Sequence, residues 1–594
     1  MRKTAGKRAG ADIVSVTFLQ VMLAQLMSFI SQIIANLVDS VSISRFLSPE
    51  HLSAFSFSST LTSVVMMVFG FLMTGTSIYA STAVSDPGAE RRDGIFTTAL
   101  IAALALGAVI TAAFLLGAET LARLSGVPQS LAPWTAEYVR GYAVGIVPYL
   151  LFGVIAPTLL LEGNRNGMII AFSVMAATDI LLDILNGTLL HLGLFGMGLA
   201  TAISAYAALG AAVLMRRCRS RSANFRLCPS GFGTPTLREL FSYGYMYAVK
   251  QIMTTALIYI YNNYIVSRFD ADMLSAYAAS YAAISFAWCV GSAIGNAVSS
   301  MTGAYMKEGD AASVRRLMGA AARYSILING ALTIALVIFA RPIMGLFYRE
   351  RDGYFAVAVQ GLRFISLSTV IRSVNMALKG SYQSRKLHAQ NLLLSLLSTV
   401  VCEAAALAAL TPLVGCYGIW LSFPVGECLA TMIMMVVTKL KTGRPFSWNT
   451  LLMLEDRDPA AREIAAAPRS LKELMAWTEI VRDFCRAEGG DKRTINALAL
   501  AAEEIGGNVF EHGFSDGKGH VVDVLLRRTD GHWMLRFRDN CMSFNPVGYL
   551  EAHGDDPEHC GIRMIRAMAS DISYSNAFGL NNMVIRMDDV GRAS

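Results

Sequence analysis

One apolar stretch of about twenty residues follows another along most of this chain, each the length a helix needs to cross a bilayer core of roughly 30 Å. Breaking the sequence at clusters of charged, Gly, Pro and Asn residues leaves about twelve spans. They fall near 13–40, 52–80, 94–118, 134–160, 167–190, 192–215, 236–266, 274–305, 317–340, 357–380, 388–411 and 416–438. The expected fold class is therefore an α-helical polytopic membrane protein, and the lipid bilayer is its first partner. Soluble single-domain readings are excluded. Lys3, Lys7 and Arg8 precede the first run, but that run continues to about Val38, too long for a cleavable signal, and it reads as a retained helix.

Charge divides the chain into two materials. Of 50 Lys and Arg and 43 Asp and Glu, residues from Glu455 onward hold 17 and 23, so the tail carries −6 and the preceding part +13. That positive balance does not point to nucleic acid, because the basic residues sit in short loops. Arg216, Arg217, Arg219, Arg221 and Arg226 follow the sixth span; further clusters are Lys307/Arg315/Arg316, Lys379/Arg385/Lys386 and Lys439/Lys441/Arg444. Counting alternate loops, all fall on one side, which the positive-inside bias makes cytoplasmic, with both termini there and the cytoplasmic (inner) membrane as location. The nine cysteines show no paired spacing and read as reduced thiols.

An internal repeat gives the architecture. Ser44-Arg45-Phe46 through Phe55 echoes Ser267-Arg268-Phe269 through Tyr277, and Gly193-Leu194-Phe195-Gly196 echoes Gly415-Cys416-Tyr417-Gly418, both at an offset of about 222 residues. Span one falls on span seven and span six on span twelve. Six is even, so the halves enter the membrane from the same side as parallel repeats, with a cavity between them near the midplane. The expected divisions are a first lobe over 1–230, a second over 231–440, a linker over 441–461 and a folded domain over 462–594.

Three acids lie within spans of the first lobe. Asp179 and Asp183 are four apart, so they stack on one helix face, and Asp39 sits in the first span. A carboxylate inside a membrane is costly unless it is paired, protonated or hydrated, so these are ion-coupling candidates; the bland alternative is a helix cap or an Arg partner. Together with Asn36-Leu37-Val38-Asp39 and the Gly-rich sixth and twelfth spans, these residues make the chain resemble the multidrug and toxin extrusion family over roughly 10–440. That resemblance implies a twelve-helix antiporter of two six-helix lobes, in which first-lobe acids take up protons or sodium while a small-molecule substrate leaves. In the second lobe Asp39 aligns with Asn262, and the span charges are Lys250, Arg372, Glu403 and Glu427. Where some relatives use acids in spans seven and ten, this chain has Lys250 and Arg372. The readings open here are structural ion pairs or a cavity accepting an anionic substrate.

The tail predicts an α+β sandwich. Ser470 caps a helix through about Arg486, a second helix runs from about Lys492 to Glu511, and strands follow at 520–527, 532–538, 571–575 and 582–587, the first two joined at a D-G turn. Glu504, Asn508 and His512 recur every four residues, so one helix face presents a carboxylate, an amide and an imidazole, beside Gly506 and Gly507. Arg538-Asp539-Asn540 ends a strand and Gly561 opens a helix. Together these resemble the histidine-kinase-like ATPase fold, closest to the anti-sigma-factor serine kinases, over about 462–590. The resemblance implies ATP and Mg²⁺ as cofactors: Asn508 as the Mg²⁺ ligand, Asp539 on the adenine amine, Glu504 as general base, Gly561 near phosphate and His512 orienting the site. Asn581-Asn582 depart from the small hydroxyl residue common in relatives, and the lid, 551–560, lacks a glycine-rich run. His553, His559 and Cys560 fit no standard metal set.

No phosphate-loop sequence occurs, so cassette-type ATP-driven transport is not expected, and no helical hairpin carries a phosphoacceptor histidine. The sequence therefore reads as a cation-coupled efflux antiporter with a cytosolic nucleotide-binding regulatory domain. The alternative is a membrane receptor whose bundle senses a ligand while the tail acts as a serine/threonine kinase or anti-sigma factor on an antagonist-like protein.

Overall fold

The computed structural model describes residues 13–47, 49–83, 89–124, 127, 129, 131–219, 225–228, 233–269, 271–307, 310–346, 354–454, 462–514, 520–529, 532–542 and 560–588. The first lobe is built from α1 (Ile13–Phe46), α2 (Pro49–Ala83), α3 (Ala89–Leu124), α4 (Ala132–Ala143), α5 (Ile146–Leu161), α6 (Arg165–Leu185) and α7 (Gly193–Arg219). The second contains α8 (Thr234–Arg268), α9 (Ala271–Lys307), α10 (Ala311–Tyr324), α11 (Gly330–Ile338), α12 (Ala340–Met344), α13 (Phe355–Ser366), α14 (Ser368–Ser384), α15 (His388–Leu396), α16 (Cys402–Val414) and α17 (Gly418–Thr442).

Among the described residues nine helices are long and apolar enough to cross a membrane, or ten when α4 and α5, bent by 49° at their junction, are taken as one span. Two features separate this from the twelve expected. The segment His388–Thr442 turns back at Gly415, whose φ of +64° suits glycine, and then runs antiparallel to itself, Gly418 lying on Thr411 and Gly426 on Glu403. Helix α8 is as long as its neighbours but carries Lys250, Asn262 and Asn263, too polar a run to pass on apolarity.

The lobes are sealed in the half of the bundle nearer the tail. Gly70 of α2 sits under the Tyr247 ring of α8, Gly244 of α8 lies against Phe71, and Tyr79 stacks on Tyr243 with centroids 5.5 Å apart. Ser77 and Ser300 share a hydrogen bond of 2.6 Å from α2 to α9. The far half of the second lobe instead forms a core of its own around Tyr261, Tyr277, Trp420 and Phe423.

After α18 (Trp448–Leu452) the tail folds into β1 (Arg462–Ala466), α19 (Leu471–Ala487), α20 (Lys492–His512), β2 (Val522–Thr529), β3 (His532–Asp539), α21 (Cys560–Met568), β4 (Asp571–Ala577) and β5 (Leu580–Asp588). The sheet is antiparallel throughout, in the order β1-β2-β3-β5-β4. Ser470 caps α19 as its sequence predicts, accepting from the Glu473 amide. Strand β1 has no counterpart in the sequence reading: five residues with no alternation are a weak signal, and pairing to β2 is what makes them a strand. The D-G turn and the lid, with His553 and His559, lie outside the described residues, as does the Cys560 side chain.

One sheet face carries the apolar residues Val522, Val524, Leu526, Trp533, Leu535 and Phe537, buried against α19 and α20. Residues of the opposite face are buried as well. Asp523, Arg536 and Arg538 are 4%, 3% and 1% exposed because that face rests on the membrane bundle. Asp310, the N-cap of α10, accepts from the Ser313 amide at 2.9 Å and also receives Arg536 and, at 3.5 Å, Arg538. Arg536 reaches Asp523 at 3.1 Å, Arg316 lies 3.6 Å from the same carboxylate, and Arg538 stacks over Tyr305. The β4–β5 hairpin tip makes a second contact, with the first lobe: the Phe578 amide donates to the Leu161 carbonyl at 3.1 Å. Gly579 meets Gly163 backbone to backbone, so closely that a Cβ on Gly163 would stand 2.7 Å from it. The tail domain thus grips both lobes at the end where they are sealed.

Candidate functional sites

The first-lobe acids converge. Asp39, Asp179 and Asp183 are 5%, 2% and 0% exposed, and Asp39 lies close enough to Asp183 to share a proton. None caps a helix end, and among the described residues none has an Arg partner. Both Asp183 oxygens and one each of Asp39 and Asp179 have no hydrogen-bond partner among the described residues. Asp39 and Asp179 line a cavity of about 60 Å³ with Tyr138, Tyr142, Thr201 and Ser204. Stacking i to i+4 on α6 puts the two aspartates on the face that α1 covers. Across these aspartates, among the described residues, no group of His, Cys, Asp and Glu is arranged to hold a metal ion.

The second-lobe candidates divide. Arg372 donates to Glu427 at 3.1 Å and to Glu403 at 3.3 Å and stacks over Trp288 at 4.0 Å; Asn375 takes the other Glu427 oxygen at 2.7 Å. These three charges form a buried ion-pair network. Asn262 is half-buried and lines neither cavity. Lys250 does line one, of about 220 Å³, between the lobes. So does Lys379, which its sequence neighbours Arg385 and Lys386 place in a basic loop. It is instead inside α14 and 7% exposed. The signal that identifies it is spacing: seven residues after Arg372, it lies two turns on along the same face.

In the tail, Glu503 is held by Arg482 at 2.8 Å, whereas Glu504 and Asn508 are half-buried with no partner among the described residues, and His512 is exposed at the end of α20. Gly506 is a packing residue, since a Cβ would strike Leu474 of α19, while Gly507 faces open space. The end of α20 meets the end of β3: Gly513 sits against Cys541, two residues past Asp539. Asp539 is 4% exposed and its Oδ1 accepts from Asn581 at 2.7 Å and from the Cys541 amide at 3.0 Å. Burial pushes its carboxyl up from the usual range, and those two donors hold the rise in check. Asn581 therefore positions Asp539, a role a small hydroxyl fills only through a shorter reach. Gly561 is the second residue of α21, which packs on α20.

The MatE family model matches residues 25–185 and again 248–407, more than half of the chain. The chain belongs to the MatE family. Matching twice at this spacing agrees with the parallel repeat. A histidine kinase-like ATPase domain model matches residues 464–588. No curated protein matches the chain. Solved structures share the membrane fold. One is described as the outward-facing conformation of a multidrug resistance MATE family transporter of the MOP superfamily, with TM-score 0.65, 18% identity, and coverage of 72% of this chain and 96% of that one. A MATE in the bent conformation gives 0.66, 18%, 72% and 96%. A MOP superfamily transporter from Pyrococcus furiosus, described as having reverse polarity of the binding pocket, gives 0.65, 18%, 72% and 97%. The protein is thus a multi-pass MatE transporter fold carrying a histidine-kinase-like ATPase domain. Beyond what the sequence singled out, Asp310, Asp523, Arg536 and the Gly163/Gly579 contact join its parts, and Lys379 lines the cavity between the lobes.

Proposed function

We propose that the chain is a proton-coupled antiporter of the cytoplasmic membrane, exporting a small-molecule substrate, whose cytosolic ATPase domain binds ATP with Mg²⁺ and regulates movement of the lobes. The observation that carries this is the double grip of the tail domain, through Arg536 and Arg538 on Asp310 of the second lobe and through Phe578 and Gly579 on Leu161 and Gly163 of the first. Alternating access requires the lobes to rock apart at the end where they are sealed. A domain held to both opposes that motion, so its docking state sets the transport rate. The sealed end is the cytosolic one by the distribution of basic loops, and the arrangement is outward-facing.

What supports proton rather than sodium coupling is the facing pair Asp39 and Asp183: both Asp183 oxygens and one of Asp39 lack donors among the described residues, and a shared proton would satisfy them. In the tail, Asn508 and Glu504 are free to hold Mg²⁺ and to accept a proton, Gly507 leaves room beside them, and Asp539 presents Oδ2 to an adenine amine. His512 closes the row, and Gly561 offers backbone amides at a helix start. Mg²⁺ would screen the phosphates when bound. The regulatory reading is preferred to a receptor kinase acting on an antagonist-like protein because the domain is fastened to both moving parts.

The test is dye efflux from proteoliposomes under an imposed pH gradient, with and without ATP–Mg²⁺ on the tail side, for wild type, Asp183→Asn and Glu504→Ala. Efflux lost in Asp183→Asn and altered by ATP in wild type is expected. Efflux in no condition, alongside intact ATP binding, rejects the transport reading in favour of the receptor.

A further inference from the structure

The two cavities are lined by groups of opposite sign. The first-lobe cavity presents carboxylates; the cavity of about 220 Å³ at the seam presents Lys250 of α8 and Lys379 of α14 and, among the described residues, no carboxylate. The acids of the second lobe are already engaged, since Glu403 and Glu427 close on Arg372. Lys379 is more than nine-tenths buried and has no hydrogen-bond partner among the described residues, and Lys250 meets only the Met376 sulfur, at 3.6 Å. Two lysine side chains facing one small space in a low-dielectric surround repel each other, and donors on both are left without an oxygen partner among the described residues. The remaining lining is rich in donors of the right reach, with Gln251, Asn296, Ser299 and Gln383 around the two lysines. The volume corresponds to about seven water molecules at roughly 30 Å³ each, which suits a small multi-atom anion.

We infer that this cavity is a binding site for a small anion bearing carboxylate or phosphate oxygens, held by Lys250 from one side and Lys379 from the other. As a statement about substrate class it rests on the transport reading; as a binding site it stands without it. The arrangement disfavours a cationic drug, whose charge would be added beside two lysines with no carboxylate in the lining among the described residues.

The experiment is equilibrium binding to the purified full chain in detergent, with no gradient and no nucleotide. The probes are radiolabelled succinate, inorganic phosphate and the cation tetraphenylphosphonium; the proteins are wild type, Lys250→Gln, Lys379→Gln and Lys379→Arg, each checked by its melting temperature. At least one anion is expected to bind wild type, to lose about tenfold or more in affinity in each Gln variant, and to keep most of it in Lys379→Arg. Failure of both anions to bind wild type, unchanged affinity in the Gln variants, or preference for the cation overturns the inference. Anion binding without movement in vesicles rejects the transport reading and leaves the site; coupled efflux of a cation without anion binding does the reverse.

Discussion

Asp310→Ala is the sharpest perturbation of the tail domain's docking. Its carboxylate faces Arg536 and Arg538, whose side chains are 4% and 1% exposed, and both would lose a charged partner inside a closed interface. Breaking a buried pair from one side costs about 3–5 kcal/mol, because the remaining charge stays desolvated. Arg536 keeps Asp523 at 3.1 Å, so the lower end, about 3 kcal/mol, is the better figure for the pair. Loss of the α10 cap, about 1 kcal/mol, weakens the helix in the docked and undocked states alike and leaves docking to the ion pairs. The pairs alone shift docking by about two powers of ten. Amide hydrogen exchange reads this directly at the other contact, where the Phe578 amide is protected by the Leu161 carbonyl. Exchange at Phe578 should accelerate by that factor while β2, paired on both sides, is unchanged. Asp310→Asn, which keeps the shape and removes the charge, should show most of the same effect. Unchanged protection at Phe578 in both variants would refute the claim that one docked body spans the lobes.

The remaining predictions use the same geometry. Gly163→Ala should expel the hairpin tip, because the new Cβ meets Gly579 backbone at 2.7 Å; Gly443→Ala, with a similar positive φ but open space around it, serves as the strain control, and equal effects in the two would reject the contact. Asn508→Ala should abolish Mg²⁺-dependent nucleotide binding, and unchanged affinity in a titration rejects that site. Asp539→Asn should cost at least about tenfold in ATP affinity and narrow the preference for adenine over guanine nucleotides. Acid affects the two aspartates differently. Burial alone would raise Asp310, but Arg536 and Arg538 outweigh it and hold the carboxyl well below the usual range. A depressed carboxyl stabilises fully above its unfolded value near about 3.9 and loses that only as pH falls through the lower folded value, so Phe578 protection, corrected for intrinsic exchange, should be flat from about pH 5 to 8. Burial raises Asp539, so its ionised, adenine-binding form is lost on acidification sooner than an ordinary aspartate's, and ATP affinity should begin to fall first.

Much of this was legible in the sequence because its signals are local or periodic. Apolar length fixes spans, since a helix in lipid satisfies its own backbone. The echo of residues 44–55 at 267–277 fixes the parallel repeat, and the four-residue recurrence of Glu504, Asn508 and His512 fixes a helix face. Aspartates 39, 179 and 183 stood out because isolated charges in apolar runs are expensive. Tertiary structure alone decided which charges are paired: Arg372 closes on Glu403 and Glu427, whereas Lys379, hidden among basic loop neighbours, is left facing a cavity with Lys250. It also decided the fate of the second sheet face. Alternating Arg536 and Arg538 give no sign in one dimension of what covers them, and become a buried interface because Asp310, more than two hundred residues earlier, is brought against them. Pairing between distant charges leaves no periodic trace in a chain, because it depends on where two separately folded parts meet.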